Sequence, residues 1–145
     1  MEDAAPSPSG NPADRLVMIV DDDEDMRMLT EMKLQKEGFK TVCGTDGLDA
    51  FAKFSVKVPD LILLDLMMPR QSGYEFLRHI QSEGHGGIPV FIVTARALDA
   101  STVDMLRQEA NVVDFFTKPI NWPMCFAAIH RKLNTLGKSH RARDL

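Results

Sequence analysis

This 145-residue chain is poor in several things, and each scarcity closes off a class of function. It has two cysteines, Cys43 and Cys125, too far apart in the sequence to form a ligand motif. Free, buried thiols in a reducing cytoplasm are therefore expected, with neither a disulfide framework nor a structural zinc site. Its four histidines, His79, His85, His130 and His140, show no ligand spacing and read as surface residues. Basic charge is in deficit, with 17 Lys and Arg against 21 Asp and Glu, a net of −4. A general affinity for nucleic acid is not expected from that balance. Its apolar runs are far too short to span a bilayer, so no membrane association is expected. The first residues, Met1-Glu2-Asp3-Ala4-Ala5, lack the charged and apolar regions of a secretory signal.

What the chain does have is a set of short, strongly apolar runs: Leu16–Val20, Leu61–Leu64, Val90–Val93 and Val112–Thr117. Continuous Val/Ile/Leu/Phe segments of this length are how strands buried on both faces of a parallel sheet read. Between them lie helical patterns. The spacing predicts strands at 16–20, 40–44, 60–65, 89–93 and 113–117, and helices at 24–37, 47–57, 73–83, 99–109 and 121–136. Leu48, Phe51, Ala52 and Ser55 form the predicted core stripe of the second helix, Met26 and Leu29 that of the first. In the last helix the stripe is Phe126, Ile129, Leu133 and Leu136. Asp99 and Asn121 read as N-caps and Gly38 as a stop signal. Alternating strands and helices imply right-handed crossovers and a three-layer α/β sandwich. Residues 1–14, rich in Pro, Ser and Gly, are expected as a disordered leader, residues 15–136 as one domain, and 137–145 as a basic tail. That tail is too short for a DNA-binding or catalytic output domain.

Each apolar run is followed by a chemistry-bearing residue. Asp21 and Asp22 follow the first, Asp65 the second, Thr94 the third and Lys118 the last. In an open parallel sheet, ligands bind outside the carboxyl ends of the strands, so these side chains are expected to converge. Asp65 is the expected nucleophile, because a carboxylate can attack phosphorus to give an acyl phosphate. Alone it would read as a turn-capping Asp. Asp21 and Asp22 supply the hard oxygen ligands that Mg²⁺ prefers, and the cation relieves repulsion among the acids. The bland account, an acidic run favouring a helix start, suits Asp23, Glu24 and Asp25. Lys118, before Pro119, supplies a fixed positive charge for the transferring phosphoryl group. Thr94 supplies a hydroxyl.

Val20-Asp21-Asp22-Asp23, Leu64-Asp65-Leu66-Met67-Met68-Pro69, Ser72-Gly73, Val93-Thr94-Ala95 and Thr117-Lys118-Pro119 together resemble the receiver domain of two-component response regulators. The resemblance covers about residues 15–136. It implies a flavodoxin-like (βα)5 sandwich with a parallel five-stranded sheet of order 2-1-3-4-5. It implies phosphotransfer to Asp65 from a histidine kinase or a histidine phosphotransfer protein. It implies Mg²⁺ held by Asp22, Asp65 and the backbone carbonyl of Met67, with Asp21 acting through water. It also implies a switch in which Thr94 and Phe115 move together and remodel the helix 4–strand 5–helix 5 surface for a downstream protein partner. Phe116, next to Phe115, competes for the buried position. The protein is then a cytoplasmic signalling phosphoacceptor, a monomer or a phosphorylation-dependent dimer, whose own chemistry is limited to self-phosphorylation and autodephosphorylation.

Met67 and Arg96, each two places after a site residue, are candidates for tuning the phosphoryl lifetime. Asn111 replaces a common glycine at the end of the fourth helix and is expected to take the left-handed conformation. Three other readings compete, one of them a binding module that works without phosphorylation, against which the intact chemistry-bearing positions argue. A phosphatase of the haloacid dehalogenase type would use Asp21 as nucleophile and Asp23 as general acid, but a cap domain and the later acidic pair are missing. The chain could also be an excised input domain of a longer regulator, since Asn121-Trp122-Pro123 resembles receivers joined to cyclic-dinucleotide enzymes. An EF-hand fails because Met26 and Met32 stand where Gly and Glu are needed. A P-loop at Gly137-Lys138-Ser139 fails because a helix precedes it.

Overall fold

A computed structural model describes residues 10–95, 98–109 and 111–137. Five parallel strands, β1 (Leu16–Val20), β2 (Lys40–Gly44), β3 (Leu61–Asp65), β4 (Val90–Thr94) and β5 (Val112–Thr117), form one sheet of order β2-β1-β3-β4-β5. Five helices alternate with them: α1 (Glu24–Glu37), α2 (Gly47–Val56), α3 (Ser72–Ser82), α4 (Ala100–Arg107) and α5 (Trp122–Leu133). This is the flavodoxin-like sandwich expected from the sequence. β1, β3 and β4 are buried at every position, which is why their sequences show no alternation.

The side chains divide into two cores, one on each face of the sheet. Met18, Val20, Ile62, Leu64 and Ile92 pack under α2, α3 and α4 through Phe54, Phe76, Leu77, Ile80 and Leu106. Val17, Ile19, Leu61, Leu63 and Phe91 pack under α1 and α5 through Leu34, Cys125, Ala128, Ile129 and Leu133. Caps act where expected: Asp99 accepts from Thr102 N–H, Asn121 accepts from Met124 N–H, and α1 ends at Gly38.

Several expected faces are corrected. α2 buries Gly47, Ala50 and Phe54, while Leu48 is 85% exposed. The helix docks through its smallest residues because a methyl added at Gly47 would collide with the Ser72 carbonyl at the start of α3. α1 buries Thr30, Leu34 and Glu37 and turns Met28, Leu29 and Met32 to solvent. Leu136 lies beyond the end of α5. Asn111 is not left-handed; it is buried, its carbonyl accepts from Val90 N–H, and its Oδ1 accepts from Gln81 Nε2 at 2.7 Å.

His130, expected at the surface, is buried between Glu37 (Nε2 to Oε2, 2.6 Å) and Thr135 (Nδ1 to Oγ1, 2.7 Å). That network joins the ends of α1 and α5. Residues 10–14, placed in the disordered leader, are structured. Pro12–Asp14 forms a 3-10 turn with Pro12 buried, and Gly10 pairs with Thr135. The rest of the leader and the tail from Lys138 lie outside the described residues, as do Arg96 and His140. Cys43 and Cys125 are free thiols, and burial is the main cause that pushes them up to about 11 and about 12. No helix among the described residues is long and apolar enough to cross a membrane.

Candidate functional site

The register of the sheet assembles the site. Val20 pairs with Leu64, which sets Asp21 beside Asp65 at the carboxyl ends of β1 and β3. Thr94 pairs with Thr117, which sets Lys118 one residue past Thr94, and Lys118 N–H donates to the Thr94 carbonyl at 2.7 Å. Four residues separated by up to 97 positions therefore meet at one sheet edge.

Asp21 and Asp65 are each 5% exposed and Thr94 is 2% exposed. Asp22 is exposed at the mouth. Carboxylate oxygens of Asp21, Asp22 and Asp65 all lie within 4.8 Å of one another. The Lys118 ammonium donates to Asp21 Oδ2 at 2.9 Å and to Asp65 Oδ2 at 3.2 Å. Asp65 Oδ1 accepts from Met67 N–H at 2.9 Å, and Asp21 Oδ1 accepts from Asp23 N–H at 2.9 Å. The Lys118–Pro119 bond, whose isomer the sequence left open, is cis.

Burial raises the Asp65 carboxyl above its ordinary value, and the Asp21 charge adds to this. The Met67 N–H bond and the Lys118 charge oppose the rise without cancelling it. For Lys118, burial pulls the ammonium down, but the bond to Asp21 and the charges of Asp65 and Asp21 outweigh it. Three acids facing one ammonium leave excess negative charge, and an all-oxygen donor set of this kind fits a hard divalent cation.

Neighbouring structure keeps the pocket shaped. Gly73 is required where α3 begins, because a methyl there would fall 2.8 Å from the Asp65 carbonyl. Asp23 accepts from Asp25 and Met26 N–H and so caps α1, which leaves the phosphatase reading without its general acid. A cavity of about 180 Å³, lined by Ile92, Thr94, Leu98, Val103, Phe115, Phe116 and Thr117, lies beside Thr94. Phe115 packs toward this α4 side beneath Arg107, whose guanidinium is 5.0 Å from the ring centroid. Phe116 faces the other core and packs on Phe91, which separates the two adjacent rings.

One residue was missed by sequence reasoning. Arg27 on α1 donates from Nη1 to the main-chain carbonyl of Asp21 at 2.8 Å. In the sequence it stands out only as the one basic residue between Asp21 and Met32, which does not identify its target.

Comparison with known proteins agrees with this geometry. A model of the response regulator receiver domain matches residues 17–130. The transcriptional regulatory protein CseB of Streptomyces coelicolor is 34% identical over 121 residues, covering 83% of this chain and 50% of that protein. CseB of Streptomyces avermitilis matches to the same extent, so the chain spans about half the length of these curated relatives. Among solved structures, a CheY-like receiver domain protein from Methanospirillum hungatei superposes with a TM-score of 0.72 at 26% identity, over 83% of this chain and 94% of that one. Chemotaxis protein CheY4 of Vibrio cholerae, at 23% identity, shares the fold with a TM-score of 0.74, over 81% of this chain and 97% of that one. The chain belongs to the response regulator receiver domains of two-component signalling systems.

Proposed function

We propose that Asp65 accepts a phosphoryl group, in a Mg²⁺-dependent reaction, from the phosphohistidine of a histidine kinase or phosphotransfer protein. The observation that carries this reading is the bridging of Asp21 and Asp65 by one half-buried ammonium, with Asp22 within ligand distance of both. Asp22, Asp65 and the Met67 carbonyl would hold Mg²⁺, with Asp21 acting through water. When bound, the ion offsets the repulsion of acids and phosphoryl oxygens. An Asp65 oxygen attacks phosphorus, the P–N bond to the donor imidazole breaks, and the imidazole, already protonated on its other ring nitrogen, takes the bonding pair and leaves neutral. Lys118 donates to the phosphoryl oxygens, and Thr94 supplies its hydroxyl from the opposite side. An acyl phosphate on Asp65 results, and water later cleaves it.

The donor must bring its imidazole to the mouth of this pocket. α1 begins three residues after Asp21 and exposes Met28, Leu29 and Met32, and α5 exposes Met124; these apolar side chains are the surface we assign to the donor. Phosphorylation then draws Thr94 toward the new charge, and Phe115 takes up the cavity beside it. The α4–β5–α5 surface changes for a downstream protein partner. Met67, half-exposed beside the acceptor, tunes the phosphoryl lifetime together with Arg96. We place this signalling in the cytoplasm, where such donors and free thiols occur.

The test is labelling by acetyl phosphate with and without Mg²⁺ in the parent protein and in Asp65→Ala. Stoichiometric, Mg²⁺-dependent labelling that the substitution abolishes is expected. Label persisting in Asp65→Ala would reject Asp65 as the acceptor.

A further inference from the structure

We propose that Arg27 is a positioning residue for the divalent-ion pocket, an inference that rests on the reading above and extends it to a side chain outside the pocket. The argument starts from what orients Asp22. No hydrogen bond to its carboxylate occurs among the described residues, and it stands exposed at the mouth. Its direction is therefore set by the main chain as it leaves β1.

That main chain is pinned at Asp21 on every polar atom. Asp21 N–H donates to the Gly44 carbonyl at 3.1 Å, Oδ1 accepts from Asp23 N–H, and Oδ2 accepts from Lys118. The remaining atom is the Asp21 carbonyl, which is the peptide oxygen leading into Asp22. Arg27 Nη1 holds it at 2.8 Å. Arg27 is itself fixed, half-buried on the first turns of α1, where its N–H donates to the Asp23 carbonyl. A charged donor makes the stronger kind of hydrogen bond. One side chain thus joins the helix to the peptide plane that aims Asp22.

Two effects of Arg27 on the ion have opposite signs, which makes the proposal decidable. Its positive charge near the acids repels a divalent cation, so a purely electrostatic role predicts tighter Mg²⁺ binding when it is removed. A positioning role predicts weaker binding. Removing partners that orient metal ligands typically lowers affinity roughly 10- to 100-fold.

The experiment is a calorimetric Mg²⁺ titration of the full chain in the parent, Arg27→Ala, Arg27→Lys and Asp22→Asn forms. Initial rates of acetyl phosphate labelling are measured against Mg²⁺ concentration in the same proteins. The Arg27→Ala form is expected to bind Mg²⁺ about 10-fold more weakly, yet to label near the parent rate once saturated. Arg27→Lys, which keeps the charge and one donor, is expected in between. Should Arg27→Ala fail to fold, the Lys form carries the test with the same expected direction. Equal or tighter Mg²⁺ binding in the folded variants overturns the proposal. Absence of Mg²⁺ binding in the parent, or binding unaffected by Asp22→Asn, overturns the ion-pocket reading instead.

Discussion

Replacing Lys118 with methionine keeps much of the side-chain volume and removes the only ammonium touching Asp21 and Asp65 among the described residues. The Lys118 side chain is 15% exposed, and those of Asp21 and Asp65 are 7% and 6% exposed, so the lost interaction joins a half-buried ammonium to two buried carboxylates. Deleting one partner of a buried ion pair typically costs 3–5 kcal/mol, because a buried charge is left uncompensated. Here the molecule has an escape, since Asp65 can take up a proton. Protonating an ordinary carboxylate at pH 7 costs about 4 kcal/mol, which caps the loss. Asp65 is already raised by burial, so the folded parent already bears part of that cost. The deficit at pH 7 without divalent ion should therefore be about 3 kcal/mol, equivalent to about 10 °C in Tm for a chain of this size.

The same reasoning fixes the pH dependence. Each unit of acidification lowers the escape cost by about 1.4 kcal/mol, so the deficit should fade to below about 1 kcal/mol by pH 5. Mg²⁺ should restore much of it at pH 7, because the ion supplies the missing positive charge. The assay is urea unfolding at pH 5 and pH 7, with chelator or with Mg²⁺. A variant as stable as the parent at pH 7 in chelator would refute the claim that Lys118 holds these acids together. A deficit that does not change with pH would refute the protonation escape.

Asp65→Asn should raise stability at neutral pH in chelator. Burial raises the folded-state pKa of Asp65, so parent stability falls as pH climbs from about 3.8 through that higher value, and the gap closes on return to acid; equal curves for both proteins would contradict this. Arg107→Ala removes a cation lying over Phe115 and should favour the inward ring, tightening beryllium fluoride binding about two- to five-fold, read by fluoride titration. His130→Ala should cost roughly 1–3 kcal/mol in urea unfolding, because the buried hydrogen bonds from its ring to Glu37 and Thr135 are lost. Cys43 and Cys125, pushed up to about 11 and about 12, should resist iodoacetamide at pH 8 in the native state and react within minutes in urea.

β1, β3 and β4 were legible because burial on both faces leaves an uninterrupted apolar run, while β2, a half-buried edge strand without such a run, still matches its expected limits at Lys40–Gly44. The site was legible for a related reason. A parallel sheet sends the residue after each strand to the same edge, so Asp21, Asp65, Thr94 and Lys118 could be placed together without knowing any distance. Helix faces were less legible. Gly47 and Ala50 form the contact face of α2 because they allow close approach, and small residues leave no hydrophobic signal. His130 looked like a surface residue because its partner Glu37 lies 93 positions away. Arg27 escaped because its target is a main-chain oxygen, which every residue carries.

On the proposed function, the excess negative charge of the acidic pocket would be the source of its signalling capacity. Asp21, Asp22 and Asp65 against Lys118 leave two negative charges in excess, held close by a sheet whose register fixes them. A core built only for stability would not gather them, since each buried acid raises the cost of the next. A reaction that changes charge at Asp65 would therefore act where uncompensated buried charge typically costs about 3–5 kcal/mol. Reversing a two-state surface from 1:99 to 99:1 needs about 5.5 kcal/mol, which is of the same order. Thr94 adjoins that excess charge on one side and the cavity beside Phe115 on the other. On the proposed reading, a charge gained at Asp65 would reach the α4–β5 surface through one hydroxyl and one ring. Filling that cavity by Val103→Leu should uncouple the two, leaving Asp65 able to accept phosphate while the ring of Phe115 stays where it is. Ring-proton shifts of Phe115 that still respond to beryllium fluoride in this variant would show that the signal takes another route.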